Sequence, residues 1–343
     1  MGCTCENNKA EDDIEIKKQV NEIKTYKLDQ KLLKNLIILQ SHIRGVLFRK
    51  KYNKELLLEE NQSNLTSFLN NNYENNENKY SLLEEEQITE SDINYLFNNF
   101  PPLNDGVDIE IKPITQIENG ALYYGEWDNN GNKHGRGIQL WPDGSKYSGY
   151  WINNKANKKG KLIHKDGDIY EGEWLDDKAD GYGVYSHIDG AKYEGYWKND
   201  KQEGKGKEIW PDGNSYEGDY VEGNKQGKGK FIWSDGSVYE GEFMNNNIEG
   251  EGVYRWPDNR EYKGSWKNNQ MDGYGEFTWP DGRNYKGEYK NDKKEGYGVF
   301  KWPQGQEYRG NWKNGKQHGE GEIYNPEKKQ VKKYMWENGR RVA

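Results

Sequence analysis

The chain has 343 residues, of which 32% are hydrophobic, 31% charged and 14% aromatic, with 41 glycines and a formal net charge of −8. So little aliphatic material excludes two ordinary globular cores and suits a repeat architecture, in which each unit packs only on its neighbours. The acidic balance argues against a general nucleic-acid binder, and no run approaches the roughly 20 apolar residues of a membrane helix.

Residues 1–25 read as a flexible N-terminus. It lacks the apolar core of a secretory signal. Cys3 and Cys5, the only cysteines, cannot staple a fold from a terminus and point to a reducing, cytoplasmic setting. The start Met1-Gly2-Cys3-Thr4-Cys5 resembles a dual-acylation signal. That resemblance implies myristate on Gly2 and palmitate on Cys3 and Cys5, although Glu6 stands where the pattern has Ser or Thr. One myristoyl chain binds membranes only marginally, so stable anchoring needs the cysteines as well. An unmodified terminus is the alternative.

Residues 26–56 carry Leu32, Leu36, Leu39, Ile43, Val46 and Leu47 at helical spacing, on a segment rich in Lys and Arg. The run from Leu39 through Gln40, Ile43, Arg44 and Gly45 to Arg49 resembles an IQ motif. The resemblance implies binding of calmodulin or a calmodulin-like EF-hand protein. The apolar stripe would lie in the groove of an acidic lobe, with Arg44 and Arg49 meeting its carboxylates. The same stripe could instead pack on the protein's own sheet or pair with a second copy.

Residues 57–118 are rich in Asn and acid and read as a solvated, disordered linker. A short helix is expected near 81–97, from which Leu82, Leu83, Tyr95, Leu96 and Phe97 would dock on the start of the C-terminal region. Pro101 and Pro102 end it.

From 119 to 343 the sequence repeats. Tyr-x-Gly-x-aromatic occurs as Tyr123-Gly125-Trp127 and Tyr147-Gly149-Trp151, then returns every 23 residues. Those later copies are Tyr170-Gly172-Trp174, Tyr193-Gly195-Trp197, Tyr216-Gly218, Tyr239-Gly241, Tyr262-Gly264-Trp266, Tyr285-Gly287 and Tyr308-Gly310-Trp312. A degenerate tenth copy places Lys332, Tyr334 and Trp336 in the same columns. Gly-x-Gly follows each Tyr by eleven or twelve residues, with Lys158 departing in one copy. A Trp-Pro-Asp-Gly column comes next, with Asn259 replacing its Gly once and Gln304 its Asp once. All 13 tryptophans fall in two columns, which chance does not produce.

Strand alternation puts Tyr, Gly and Trp on one face and the polar x positions on the other. Glycines would leave room for rings of the neighbouring hairpin, and the rings would stack into ladders. Asn/Asp/Gly connectors and Pro-Asp-Gly turns close each unit into a β-hairpin. Nine or ten hairpins predict a single-layer antiparallel ribbon of about 18–20 strands, roughly 90 Å long.

At a 23-residue period, Tyr-Glu-Gly-Glu-Trp with Gly-x-Gly and Pro-Asp-Gly resembles the MORN repeat. The expected fold class is thus an all-β repeat ribbon of stacked hairpins, preceded by an α-helical IQ segment and a disordered linker. The resemblance implies scaffolding, dimerisation and attachment to membrane or cytoskeleton at the cell cortex or a cilium. No Cys/His cluster has metal-ligand spacing, and each Gly-x-Gly lacks the strand-to-helix context of a phosphate loop. No enzyme activity, metal or cofactor is expected. The leading expectation is a scaffold on the cytoplasmic face of a membrane, regulated through calmodulin, with an unidentified protein partner on the ribbon. The alternatives are a phosphoinositide-binding module, using lysines such as Lys290, Lys293 and Lys294, or a regulatory subunit of a lipid kinase. Uncovered sheet edges make a homodimer a further expectation.

Overall fold

The computed structural model describes residues 87–342. The first element is helix α1 (Glu90–Asn99). Thr89 caps it, and Asp92 reaches back to the Thr89 amide at 3.0 Å, which completes a capping box.

A single 21-stranded sheet follows. It opens with β1 (Ile109–Gln116), β2 (Leu122–Asp128), β3 (Lys133–Leu140) and β4 (Lys146–Ile152). Next come β5 (Lys155–Ile163), β6 (Ile169–Leu175), β7 (Lys178–Ser186) and β8 (Lys192–Lys198). Beyond these lie β9 (Lys201–Ile209), β10 (Ser215–Val221) and β11 (Asn224–Ile232). The alternation continues from Val238 to Asn325, and β20 (Gln330–Glu337) and β21 (Arg340–Arg341) end it. Each strand pairs antiparallel with the next in sequence, so the array is one meander of hairpins in a single layer. The ribbon expected from the repeat is therefore the observed fold. Its first strand, β1, falls in the stretch read as linker. Pro113 interrupts its alternation and shifts its register on β2, which an edge strand tolerates.

Two kinds of turn close the hairpins. Asn245 and Asn246 have φ of 48° and 67°, a two-residue turn with both central residues left-handed, and the same pair of conformations recurs along the ribbon. The Trp-Pro-Asp-Gly turns bond the amide of Gly144 to the Trp141 carbonyl at 3.0 Å, and Asp143 accepts from the Ser145 amide at 3.0 Å.

Inside each repeat the tyrosine ring organises the hairpin. The Tyr216 hydroxyl donates to the Asp219 carbonyl at 3.1 Å, and the equivalent bond forms from Tyr123 through Tyr308 in every copy. The ring thereby lies over Gly218 and over Gly229 on the opposing strand, where a Cβ would come within 2.3 and 2.5 Å of its oxygen. The ring that fills the glycine gap is thus the tyrosine of the same strand, not one from the neighbouring hairpin. After the Gly218–Gly229 pair the register slips, and the next partners are Tyr220 and Lys225. This bulge leaves Gly227 at φ 70° and lets the Asp219 carboxylate accept the Lys228 amide at 3.2 Å. Lys158 takes the same left-handed position at φ 58° in the copy without that glycine.

The aromatic columns link the repeats. Tyr147 meets Trp151 of its own repeat at 5.1 Å and Trp174 of the next at 5.2 Å, both edge-on. The same double contact carries on to Tyr308 with Trp312 and Trp336. The indoles of Trp151, Trp174, Trp197, Trp266 and Trp312 also donate back a strand, as Trp151 does to the Gly137 carbonyl at 3.1 Å. One continuous core of rings results on one face, flanked by Trp141, Trp210, Trp233, Trp256, Trp279 and Trp302 of the turns.

Candidate functional site

The face opposite the ring core is the one left for other molecules. Its central row consists of residues standing directly across from one another on successive strands. From β5 onward the row reads Lys161, Glu171, Val184, Glu194, Lys207, Glu217, Lys230 and Glu240. It goes on as Val253, Lys263, Glu276, Lys286, Val299, Arg309, Glu322 and Lys333. Opposite charges therefore face each other across most strand junctions, with ion pairs such as Lys230–Glu240 at 2.7 Å and Lys333–Glu322 at 3.4 Å. Exposed pairs of this kind contribute about 0.2–1 kcal/mol each, enough to favour register but not to hold the sheet.

Before β5 the same row is Tyr124, Ile138 and Ser148, and here the face is covered. Helix α1 lies on β3 and β4, and Leu96, Phe100 and Ile88 are buried with Ile138, Leu140 and Tyr150. The Tyr150 hydroxyl donates to the Pro101 carbonyl at 2.6 Å, and its ring meets Phe100 edge-on at 5.5 Å. Lys146 binds Asp92 at 2.5 Å. Burial pushes the Asp92 carboxyl up, but the bonds from Lys146 and Thr89 outweigh it and hold it below its ordinary range. Arg136 places its guanidinium over the Phe97 ring at 4.5 Å. Tyr95, Leu96 and Phe97 are among the expected docking residues. Leu82 and Leu83 lie outside the described residues.

Past the helix the face opens into a groove of about 1050 Å³, bordered by Tyr182, Tyr196, Lys207, Lys230 and Glu251 over a floor of backbone glycine. The rings of Tyr182 and Tyr196 stand in the open, edge-on at 5.4 Å.

One column on the ring face was not legible as special. It holds Lys133, Lys225 and Lys294 at positions where other repeats have Ala156, Ala179, Ile248 or Met271. Lys225 binds Glu208 at 2.9 Å, and Tyr220 donates to the same carboxylate oxygen at 3.0 Å. Lys294 instead has four rings around its ammonium, those of Trp279, Tyr285, Phe300 and Trp312, all within 5.1 Å. Burial lowers the pKa of Lys133 and of Lys294 to about 8. Lys294 therefore does not join Lys290 and Lys293 in an open basic patch. The partner ring is only a partial signal, since Lys133 stands across from Trp127. Trp151 and Trp174 face alanine, while the smaller Tyr220, Phe243 and Tyr289 face Lys225, Ile248 and Lys294.

The repeat-defining residues occupy the ring core as described. The IQ residues Leu39, Gln40, Ile43, Arg44, Gly45 and Arg49 and the acylation residues Gly2, Cys3 and Cys5 lie outside the described residues. Among the described residues no cluster of His, Cys, Asp and Glu could hold a metal ion. No helix among them is long and apolar enough to cross a membrane.

Comparison with known proteins places the repeat. The family model described as MORN repeat matches nine successive stretches, 123–146, 147–169, 170–192, 193–215, 216–238, 239–259, 262–282, 285–307 and 308–326. No curated protein matches the chain. Among solved structures, the wild-type TCP10 domain of Danio rerio CPAP is similar at 11% identity and a TM-score of 0.34, over 58% of this chain and 94% of its own. The TCP domain of Drosophila melanogaster SAS-4, solved with a proline-rich motif of Ana2, is similar at 14% identity and a TM-score of 0.27, over 55% of this chain and 96% of its own. Likenesses at these scores carry no weight for this chain. The family assignment stands on the nine matched stretches together with the hairpin each one forms: this chain belongs to the MORN-repeat family.

Proposed function

We propose that the protein is a non-enzymatic scaffold whose ribbon presents its charged face to a protein partner. The observation that carries this reading is the division of labour between the two faces. The Tyr-Gly-Trp face is used up by its own rings, whereas beyond β5 no described residue covers the other face, which bears alternating charge. The MORN ribbon is a non-catalytic structural module, and among the described residues there is no metal-holding cluster.

Two finer parts of the reading rest on the N-terminal sequence. Acyl chains on Gly2, Cys3 and Cys5 tether the protein to the cytoplasmic face of a membrane, which two chains accomplish and one does not. The basic helix containing Gln40 and Arg44 binds a calmodulin-like EF-hand protein, and that binding regulates the tether.

The test uses the full chain and calmodulin, with and without calcium. Binding is expected for the unaltered chain and lost on Gln40→Ala together with Arg44→Ala. Equal binding by the variant, or none by either, removes the calmodulin part and leaves the scaffold.

A further inference from the structure

Helix α1 shows what the exposed face of this ribbon holds. Three positions of β3 and β4 define its seat: Ile138, buried with Leu96, Lys146, bound to Asp92, and Tyr150, bound to Phe100 and Pro101. Two repeats further along, the equivalent positions of β7 and β8 are Val184, Lys192 and Tyr196. The register is the same, with Arg136 across from Tyr150 and Leu140 across from Lys146 in the first pair. In the second, Tyr182 stands across from Tyr196 and Ser186 across from Lys192. Among the described repeats no other strand pair combines an aliphatic residue, a lysine and a tyrosine at these three places. Residues Lys161, Ile169 and Glu173 fill them between, and Lys207, Ser215 and Asp219 just beyond.

Among the described residues nothing covers the second set. Tyr196 is 52% exposed, against 8% for Tyr150 under α1. It opens onto the glycine-floored groove. We propose that Val184, Lys192 and Tyr196 form a second helix seat, which takes an amphipathic helix of a partner protein. The helix it fits has a carboxylate in its first turn for Lys192, an apolar residue for Val184, and an aromatic–proline end for Tyr196. That is the chemistry α1 itself offers in Asp92, Leu96, Phe100 and Pro101.

The differences between the seats say how the second would work. Tyr182 replaces Arg136, so a ring takes the place of the guanidinium that lies over Phe97 in the first seat. Ser186 and Glu194 replace Leu140 and Ser148, which narrows the apolar contact and suits a partner that leaves again. Glu194 already accepts from Tyr182 at 2.9 Å and pairs with Lys192 at 3.1 Å. An incoming carboxylate therefore competes with Glu194 for Lys192.

The inference rests on the reading of the ribbon as a scaffold that binds through this face. The probe is a labelled synthetic peptide copying residues 87–104, titrated into the full chain and followed by fluorescence anisotropy. Saturable binding of one peptide per chain is expected. Tyr196→Ala or Lys192→Glu should weaken it about tenfold or more, the usual loss when an aromatic anchor or its charge partner is removed. Glu194→Gln should strengthen it, and Tyr297→Ala, an equally exposed ring outside the seat, should leave it unchanged. Absence of saturable binding overturns the proposal. So does binding that depends on Tyr150 and not on Tyr196, because the peptide would then be displacing α1. Tyr196-dependent self-association of the full chain in sedimentation would assign the seat to a second copy and overturn a foreign partner. Failure here leaves the calmodulin reading to its own test, which involves none of these residues.

Discussion

Tyr216 holds its ring so close to Gly229, on the neighbouring strand, that a methyl carbon there would stand 2.5 Å from the phenolic oxygen. The hydroxyl has no easy retreat, since it is bonded to the Asp219 carbonyl. Gly229→Ala is therefore expected to cost about 1–3 kcal/mol from overpacking, with the loss of the hydroxyl bond in addition. Gly223→Ala is the control. Its φ is +84° but nothing lies within 4 Å, so only the left-handed penalty of about 1–2 kcal/mol applies. Urea unfolding followed by tryptophan fluorescence compares the two. Equal costs would show that the ring does not clamp the glycine pair.

The hairpin tips bind the preceding repeat. Asp200 sits second in its turn at φ 65°, its amide donates to the Ala179 carbonyl at 3.0 Å, and its carboxylate accepts the Ala179 amide at 2.8 Å. Asn154, Asn246 and Asn269 make the same side-chain bond with a neutral oxygen. Burial raises the Asp200 pKa above the ordinary value, so the folded chain takes up that proton more readily than the unfolded one. Stability contributed at this site is consequently full at acid pH and falls as pH rises through the raised pKa. Asp200→Asn keeps the bond and removes the charge. It should raise the urea midpoint at pH 7 and leave it unchanged below about pH 3, where the carboxyl is largely protonated in both states. No gain at pH 7 would show that water already solvates this carboxylate.

Most of the fold was readable because two signals agree at each repeat: the alternation that sorts rings to one face, and turn residues fitted to left-handed positions. The strand β1 was not readable, since it has neither the Tyr-x-Gly-x-Trp columns nor an unbroken alternation around Pro113. The docking of α1 was half readable. Tyr95, Leu96 and Phe97 announce an apolar helix face, but its seat becomes visible only when strand pairing sets Tyr124 across from Ile138, with Tyr150 beside them, in a row that is elsewhere mostly charged. Buried lysines escape a sequence reading for a related reason. In one copy Lys225 reads as polar surface, and only the register that sets it opposite Tyr220 and near Glu208 shows otherwise.

That buried trio gives a third prediction. Glu208 is the acceptor for both Lys225 and Tyr220, and the two charged side chains are each less than a tenth exposed. Glu208→Ala should cost about 3–5 kcal/mol, because it strands a buried ammonium and a buried hydroxyl together. Replacing the charges with the apolar pair of the next repeat, Phe231 and Ile248, by Glu208→Phe with Lys225→Ile, should recover most of that loss. The single and double variants are compared by denaturant unfolding at pH 7. A double variant no better than Glu208→Ala would mean that packing around Trp210, and not the stranded charge, sets the cost.

Lys294 lacks what Lys225 has. Four rings surround its ammonium, Phe277 occupies the column of Glu208, and the hydroxyl of its cross-strand neighbour Tyr289 is buried without a hydrogen-bond partner. Cation–ring attraction offsets part of the desolvation but not all of it, since burial still lowers the pKa to about 8. The unfolded chain keeps this proton to a pKa near 10.5, so the unfolded state binds it more tightly. The cost is therefore complete below pH 8 and shrinks as pH climbs from 8 towards 10.5. Lys294→Met, which copies the residue of the preceding repeat at Met271, should stabilise the protein at pH 7. Lys294 is half-buried and not fully enclosed, so a gain of about 1–2 kcal/mol is expected, less than the full shift would give. The gain should be smaller at pH 9.5 than at pH 7, and Lys293→Met, on the exposed neighbour, should show no such trend. A gain equal at both pH values would place the effect in methionine packing and would return Lys294 to the ranks of ordinary charged lysines.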